Sequence, residues 1–264
     1  MKWLKRFYQS DVKKRTNDYW QKKVSSFDSS TLTDGKNIKS KDYEEQANKF
    51  LRESNFALAI VELEHQLDIN PISSFSLYNL GIAYKSVDNI FGALDALKAS
   101  LICEPIAPAV YRKIGYIYND LGKLGEAIEN FGLAVSQQQK YGGKIFIKND
   151  NDHIKTHLIY NFCLERNNQW SEAILSWKKL IEKEPNHPFH HIALAFAFMM
   201  SNEDDKTNLA ISEANKAREL DAMDEYGIKE RSEEFVRQVN SLIAGGSFMW
   251  RNNDGEIILL EPML

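Results

Sequence analysis

The residues best equipped for chemistry are six histidines, His65, His153, His157, His187, His190 and His191. His153 and His157 are four apart and would share a face if one helix covers both. His187, His190 and His191 cluster in NHPFHH. Zinc asks for three or four ligands in tetrahedral order, each held by a supporting hydrogen bond. Nothing in these spacings supplies that, so packing roles are expected, with no metal and no cofactor. Cys103 and Cys163 form no CxxC and read as buried apolar thiols. The chain has no glycine-rich phosphate loop with a lysine, no GxSxG, no HExxH and no GxGxxG after a strand. A non-enzymatic protein is expected.

Bulk properties narrow the classes further. The 264 residues carry 33 basic and 37 acidic side chains, a formal charge of −4. Phosphate binding needs a basic surface, so nucleic acid is not the expected ligand. The longest unbroken apolar run, Ile192 to Met200, is far shorter than the ~20 residues that span a bilayer. The N-terminus has no apolar core of the signal-peptide kind. With two cysteines ruling out a disulfide scaffold, a reducing, cytoplasmic setting is expected.

Charge is unevenly spread. Residues 1–41 hold eleven Lys/Arg and four Asp, or +7, and the remaining 22 basic and 33 acidic residues leave −11. That is a basic arm on an acidic body. In residues 1–24, Trp3, Leu4, Phe7, Tyr8, Val12, Tyr19 and Trp20 recur partly at helical spacing. Two readings of the arm stay open. A basic face beside exposed aromatics could lie peripherally on an anionic membrane or grip an acidic partner. Alternatively, an N-terminal helix packs Trp3, Phe7 and Trp20 onto the body and leaves its lysines in water. Residues 25–41, rich in Ser, Thr, Asp and Gly without periodicity, read as a linker of low order.

The elements that must position any site come from an internal repeat. Ala59, Ala93 and Ala127 lie 34 residues apart, as do Tyr43/Leu77/Tyr111, Ala47/Gly81/Gly115, Phe50/Tyr84/Tyr118 and Leu63/Leu97/Phe131. Ala173 continues the alanine series after an insertion, and Ala210 follows it by 37. Small residues on the first helix of each unit must face small ones on the second, because the two helices cross closely and bulk there overpacks the contact. Asn161 breaks this pattern in the fourth unit. Tyr84, Tyr118, Leu97, Phe131 and Trp177 fill space between units, and Pro71, Pro105 and Pro185 separate one unit from the next.

This period and these residue classes resemble the tetratricopeptide repeat, a helix–turn–helix unit. The resemblance implies an all-α fold, a right-handed superhelical solenoid of about five helix pairs with a concave ligand groove. The units are placed at 42–73, 74–107, 108–141, 154–187 and 188–223, with an insertion at 142–153. A capping helix is expected at 224–244, with Ile228, Phe235, Val239 and Leu242 inward and Lys229, Arg231, Glu233 and Arg237 in water. Asp254–Gly255 between apolar runs predicts a hairpin or extended tail in 245–264. Such a hairpin must dock on something, either over the groove of units four and five or on the capping helix.

By the same resemblance, ligands lie on the first helix of each unit. Asn48, Tyr78, Asn79, Ile82, Arg112, Lys113 and Tyr116 give a polar half. Leu158, Phe162, Ile192 and Phe196, with Met199 and Met200, give an apolar half. One branch of the family clamps a terminal carboxylate with two asparagines, two lysines and an arginine. Asn48 and Asn79 match the asparagines and Lys113 stands for the arginine, but Glu44 and Ala109 occupy the lysine positions, leaving the clamp incomplete. The leading expectation is an adaptor, scaffold or assembly factor that holds a protein or peptide ligand in the groove. The alternatives are a membrane-surface scaffold acting through its arm and a chaperone-tail-binding co-chaperone. Fold resemblance does not name the partner or the oligomeric state.

Overall fold

The computed structural model describes residues 18–141, 150–223, 225–244, 248–251 and 257–260. Trp3, Phe7, most of the 142–153 insertion and the Asp254–Gly255 turn lie outside the described residues, as does the side chain of His153. The chain divides into two compact units, Met1–Thr156 and His157–Leu264.

The first unit holds a short helix α1 (Tyr19–Ser25) and three antiparallel helix pairs. These are α2 (Asp34–Arg52) with α3 (Phe56–Ile69), α4 (Ser74–Ser86) with α5 (Ile90–Cys103), and α6 (Pro108–Asp120) with α7 (Leu124–Tyr141). Helix α8 (Asp150–Arg166) begins here and continues into the second unit, where it pairs with α9 (Trp170–Lys183). Trp177 donates its indole N–H to Glu165 at 2.8 Å and meets Phe162 edge to face. The last pair is α10 (Pro188–Met200) with α11 (Lys206–Leu220), followed by the capping helix α12 (Ile228–Ile243). No helix among the described residues is long and apolar enough to cross a membrane.

One turn geometry recurs through the first four pairs. Ser54, Asp88, Gly122 and Asn168 all adopt positive φ, between 55° and 71°. The next residue then donates its N–H five positions back: Asn55 to Phe50, Asn89 to Tyr84, Lys123 to Tyr118 and Gln169 to Leu164, at 2.8 to 2.9 Å. This is the Schellman closure, which satisfies carbonyls a helix end would otherwise leave open. It reverses the chain tightly enough for the close crossings to form. A Cβ on Gly81 would stand 2.6 Å from Leu97 Cγ, and one on Gly115 2.9 Å from the Phe131 ring. Ala47, Ala59, Ala93, Ala127, Ala173, Ala195 and Ala210 are wholly buried at the matching positions.

Several expectations need correction. Residues 34–41 are not linker: α2 begins at Asp34, and its extra turns are tied down by Gln66 donating to the buried Ser40 hydroxyl at 3.1 Å. Helix α8 likewise starts at Asp150, inside the expected insertion. For the described end of the arm, Trp20 packs as one of the two open readings had it, at 1% exposure in the first unit's core. Arg231 is half-buried rather than facing water, and its burial lowers its pKa.

The tail forms the expected hairpin, β1 (Phe248–Arg251) against β2 (Ile257–Leu260), in antiparallel register from Phe248↔Leu260 to Arg251↔Ile257. Its described contacts are with the capping helix. Buried Phe248 meets Phe235 edge to face at 5.6 Å, and Met249 donates its N–H to the Gln238 side chain. The capping helix is itself started by Asp221, whose carboxylate accepts the N–H groups of Ile228, Tyr226 and Lys229 across the left-handed Gly227. Burial alone would raise the pKa of Asp221, but these backbone donors outweigh it and hold the carboxyl below its ordinary range.

Candidate functional site

In the first unit the three leading helices, α2, α4 and α6, carry the polar half of the expected groove. Two of its residues are engaged with neighbouring side chains. Asn79 is 8% exposed and spends its amide on a long 3.5 Å contact with Asn48. Arg112 is half-buried and directs Nη1 to the Thr156 hydroxyl at 3.4 Å. Tyr78, Lys113 and Tyr116 are half-buried. Tyr116 is fixed by an edge-to-face contact with Phe131 at 5.2 Å. That contact depends on Gly115, because a side chain there would displace the Phe131 ring.

Between α4 and α6 opens a cleft of about 320 Å³. Gly81, Ile82, Leu97 and Ile117 form an apolar lining and Tyr116 an aromatic wall. Lys85, Lys113 and Asp120 stand at its polar side. Lys85 and Asp120 pair across the two helices at 2.7 Å. Of these, only Ile82, Lys113 and Tyr116 were legible as groove residues. Lys85 follows Ile82 by three and Asp120 follows Tyr116 by four, so carrying the same helical faces one turn further would have reached both.

The α10 part of the apolar half is largely withdrawn from solvent. Ile192 and Phe196 are 3% and 8% exposed, and Met199 is wholly buried. The physical reason is that α10 is apolar all round: every residue from His190 to Met199 is buried, so no stripe of it can be assigned to a groove. Trp170 covers Phe196 edge to face at 5.8 Å. Leu158 and Phe162 on α8 are half-buried, and Phe162 packs between Trp177 and Phe189.

The histidines at the start of α10 pack against neighbouring side chains. His187 stacks on His190 with ring centres 4.4 Å apart, and Tyr226 leans on His187. Burial, reinforced by the neighbouring His187, lowers the His190 pKa to about 4. Burial also opposes charge on His191, but its 2.7 Å contact with Glu213 and the carbonyl of Pro185 win, and its pKa is raised. His157 is wholly buried. Among the described residues, no three His, Cys, Asp or Glu side chains converge as metal ligands. Burial pushes the Cys163 thiol up to about 11, against the opposing charge of Arg166, and raises Cys103 as well. Neither environment activates a thiolate.

Comparison with known proteins places the fold. No family model and no curated protein matches the chain. Solved structures do. A MamA structure matches at TM-score 0.55 and 16% identity over 70% of this chain and 93% of that one. MamA from Desulfovibrio magneticus RS-1, from residue 41 on, matches at TM-score 0.53 and 16% identity over 71% and 97%. YrrB, described as a TPR protein with an unusual peptide-binding site, matches at TM-score 0.54 and 14% identity over 73% and 90%. The chain therefore has the all-α fold of tetratricopeptide-repeat proteins.

Proposed function

We propose that this protein is a non-enzymatic adaptor that holds a segment of a partner protein against α4 and α6 of the first unit. The observation that carries the reading is the open cleft between those helices, lined by apolar atoms and bordered by Lys85, Lys113 and Asp120, the first and last of them paired. Small-ligand and peptide anchor sites have this make-up, a mostly apolar concavity with a few polar groups that fix orientation. YrrB, a protein of the same fold, is described as carrying a peptide-binding site, which supports a peptide as the ligand class here. The reading rests on the first unit because Ile192 and Phe196, the expected groove residues of α10, are core.

The test is site-specific photo-crosslinking in an extract of the native cell. A photoreactive residue at position 82 samples the cleft, and one at the exposed Lys98 on α5 serves as control. A protein adduct formed at 82 and missing at 98 supports the reading. Identical adducts at both positions, or none at 82, overturn it.

A further inference from the structure

We infer that β2 is an open sheet edge to which a second copy of this chain adds its own β2, joining the two hairpins into one sheet about a two-fold axis. The direction of the backbone groups carries this. Met249 donates its N–H to the Gln238 side chain of α12 at 3.1 Å, so that group points away from β2. In an antiparallel pair, opposed residues alternate between exchanging both backbone hydrogen bonds and exchanging none. Met249↔Leu259 is therefore a pair that exchanges none, and its neighbours Phe248↔Leu260 and Trp250↔Ile258 exchange both. Arg251↔Ile257 again exchanges none. Ile257 and Leu259 consequently direct their N–H and C=O groups outward, away from β1.

The two edges of the hairpin are treated differently. On the β1 side, α12 packs Phe235 against Phe248 and takes up the Met249 N–H. Among the described residues the sheet has two strands, which leaves β2 as its other edge. Such edges are usually guarded by a lysine, a proline or a bulge. Ile257-Ile258-Leu259-Leu260 holds no lysine or proline, and its register with β1 is continuous. A run of four apolar residues suits a strand with neighbours on either side, and a lone hairpin is marginal without a third strand.

Self-complementarity names the occupant. The outward groups belong to residues 257 and 259, so an antiparallel pairing of β2 with its own copy must set odd positions against odd ones. With Ile257 opposite Leu259 of the second copy, and Leu259 opposite Ile257, the axis passes Ile258 and each of these pairs exchanges both its bonds. A register that would bring Glu256 opposite Glu261 has the other parity, so the pairing avoids like charge across the strands. The contact is isologous and closes on itself as a dimer.

The experiment is sedimentation equilibrium of the full-length protein from about 1 to 200 μM, with amide hydrogen exchange read residue by residue. The mass should rise with concentration from 30.4 kDa towards twice that value. The amides of Ile258 and Leu260, bonded within the hairpin, should be protected throughout, and those of Ile257 and Leu259 only where the dimer forms. Leu259→Pro removes an outward N–H and no bond of the hairpin, so it should leave a monomer with Ile258 still protected. Should proline disturb the hairpin, Leu259→Lys guards the edge by charge instead and should also give a monomer. A monomer at every concentration overturns the proposal. So does a dimer that survives both substitutions, or one in which the Ile257 and Leu259 amides stay unprotected.

Discussion

The carboxylate of Asp95 accepts the backbone N–H of Trp20 at 2.7 Å, although the two residues are 75 positions apart. Gln21 adds its own N–H at 3.3 Å and its side-chain amide at 3.0 Å. Asp95 thus caps the start of α1 from the middle of α5, and Trp20 closes over the contact. Lys23, one turn on, pairs with Asp68 of α3 and lies over the Trp20 ring. The last turns of the basic arm are consequently fixed to second helices of the repeat, α3 and α5, while the cleft opens between first helices, α4 and α6.

Trp20→Ala should release α1. A buried Trp to Ala change costs up to about 3–5 kcal/mol where the contact is part of the cooperative core. Asp95→Ala should cost about 1–3 kcal/mol, because it strips the acceptor from buried N–H groups. Both variants should be cut by trypsin after Lys22 and Lys23 much faster than the parent. Burial raises the Asp95 pKa despite its backbone donors, so the folded state holds this proton more tightly than the unfolded chain. Its contribution therefore does not weaken as pH falls. Tryptic protection of α1 that collapses between neutral pH and about pH 5 would contradict that sign.

Two glycines test the close crossings. Gly81→Ala places a methyl 2.6 Å from Leu97 Cγ and 3.2 Å from the carbonyl of Ala93. The backbone cannot yield cheaply, and overpacking of this kind costs roughly 1–3 kcal/mol. Gly125→Ala, near the start of α7, meets nothing within 4 Å and should stabilise by about 0.5–1 kcal/mol through helix propensity alone. Urea midpoints of the two variants should move in opposite directions.

Asn161 supplies the converse case. It sits where the other first helices carry Ala or Gly, is wholly buried, and neither atom of its amide has a hydrogen-bond partner among the described residues. Asn161→Ala removes an unsatisfied group and restores the small residue of the repeat. It should raise stability by about 1–3 kcal/mol. A lower urea midpoint would mean that the cavity left by the amide outweighs the relief of its desolvation.

What the sequence revealed and what it hid have physical causes. The 34-residue period was legible because close helix crossings admit only small residues, and Ala59, Ala93 and Ala127 record that limit directly. The recurring turn was not, because its left-handed position is filled by Ser54, Asp88, Gly122 and Asn168, four residue types for one geometry. The first turns of α2 were hidden by their polar residues, which show no helical period although Ser40 is buried against Gln66. Ile192 and Phe196 were misplaced because a helix that is apolar on every side gives no hint of which side faces water. The cleft was half legible: its helix faces followed from the period, but the Lys85–Asp120 pair joins two units and needed the fold to bring it together.

The histidines of α10 should give the second unit a stability profile with two opposing limbs. An unfolded imidazole protonates near its ordinary value of about 6.5. Buried His190, stacked on His187, against Trp177 and 3.6 Å from the Glu184 carboxylate, does so only at about 4. Between those values the unfolded chain binds a proton that the folded one refuses, so stability falls as pH drops through that window. His191, facing Glu213 with Lys216 nearby, runs the other way. Its raised pKa stabilises fully below the ordinary value, and that contribution is lost as pH rises through the folded value. His190→Leu should therefore flatten the acid limb, while Glu213→Gln should lower stability at about pH 6 and leave it nearly unchanged at about pH 8. Urea midpoints across this range, followed by Trp177 fluorescence, read both limbs. An acid limb that survives His190→Leu would show that some other group takes up the proton on unfolding.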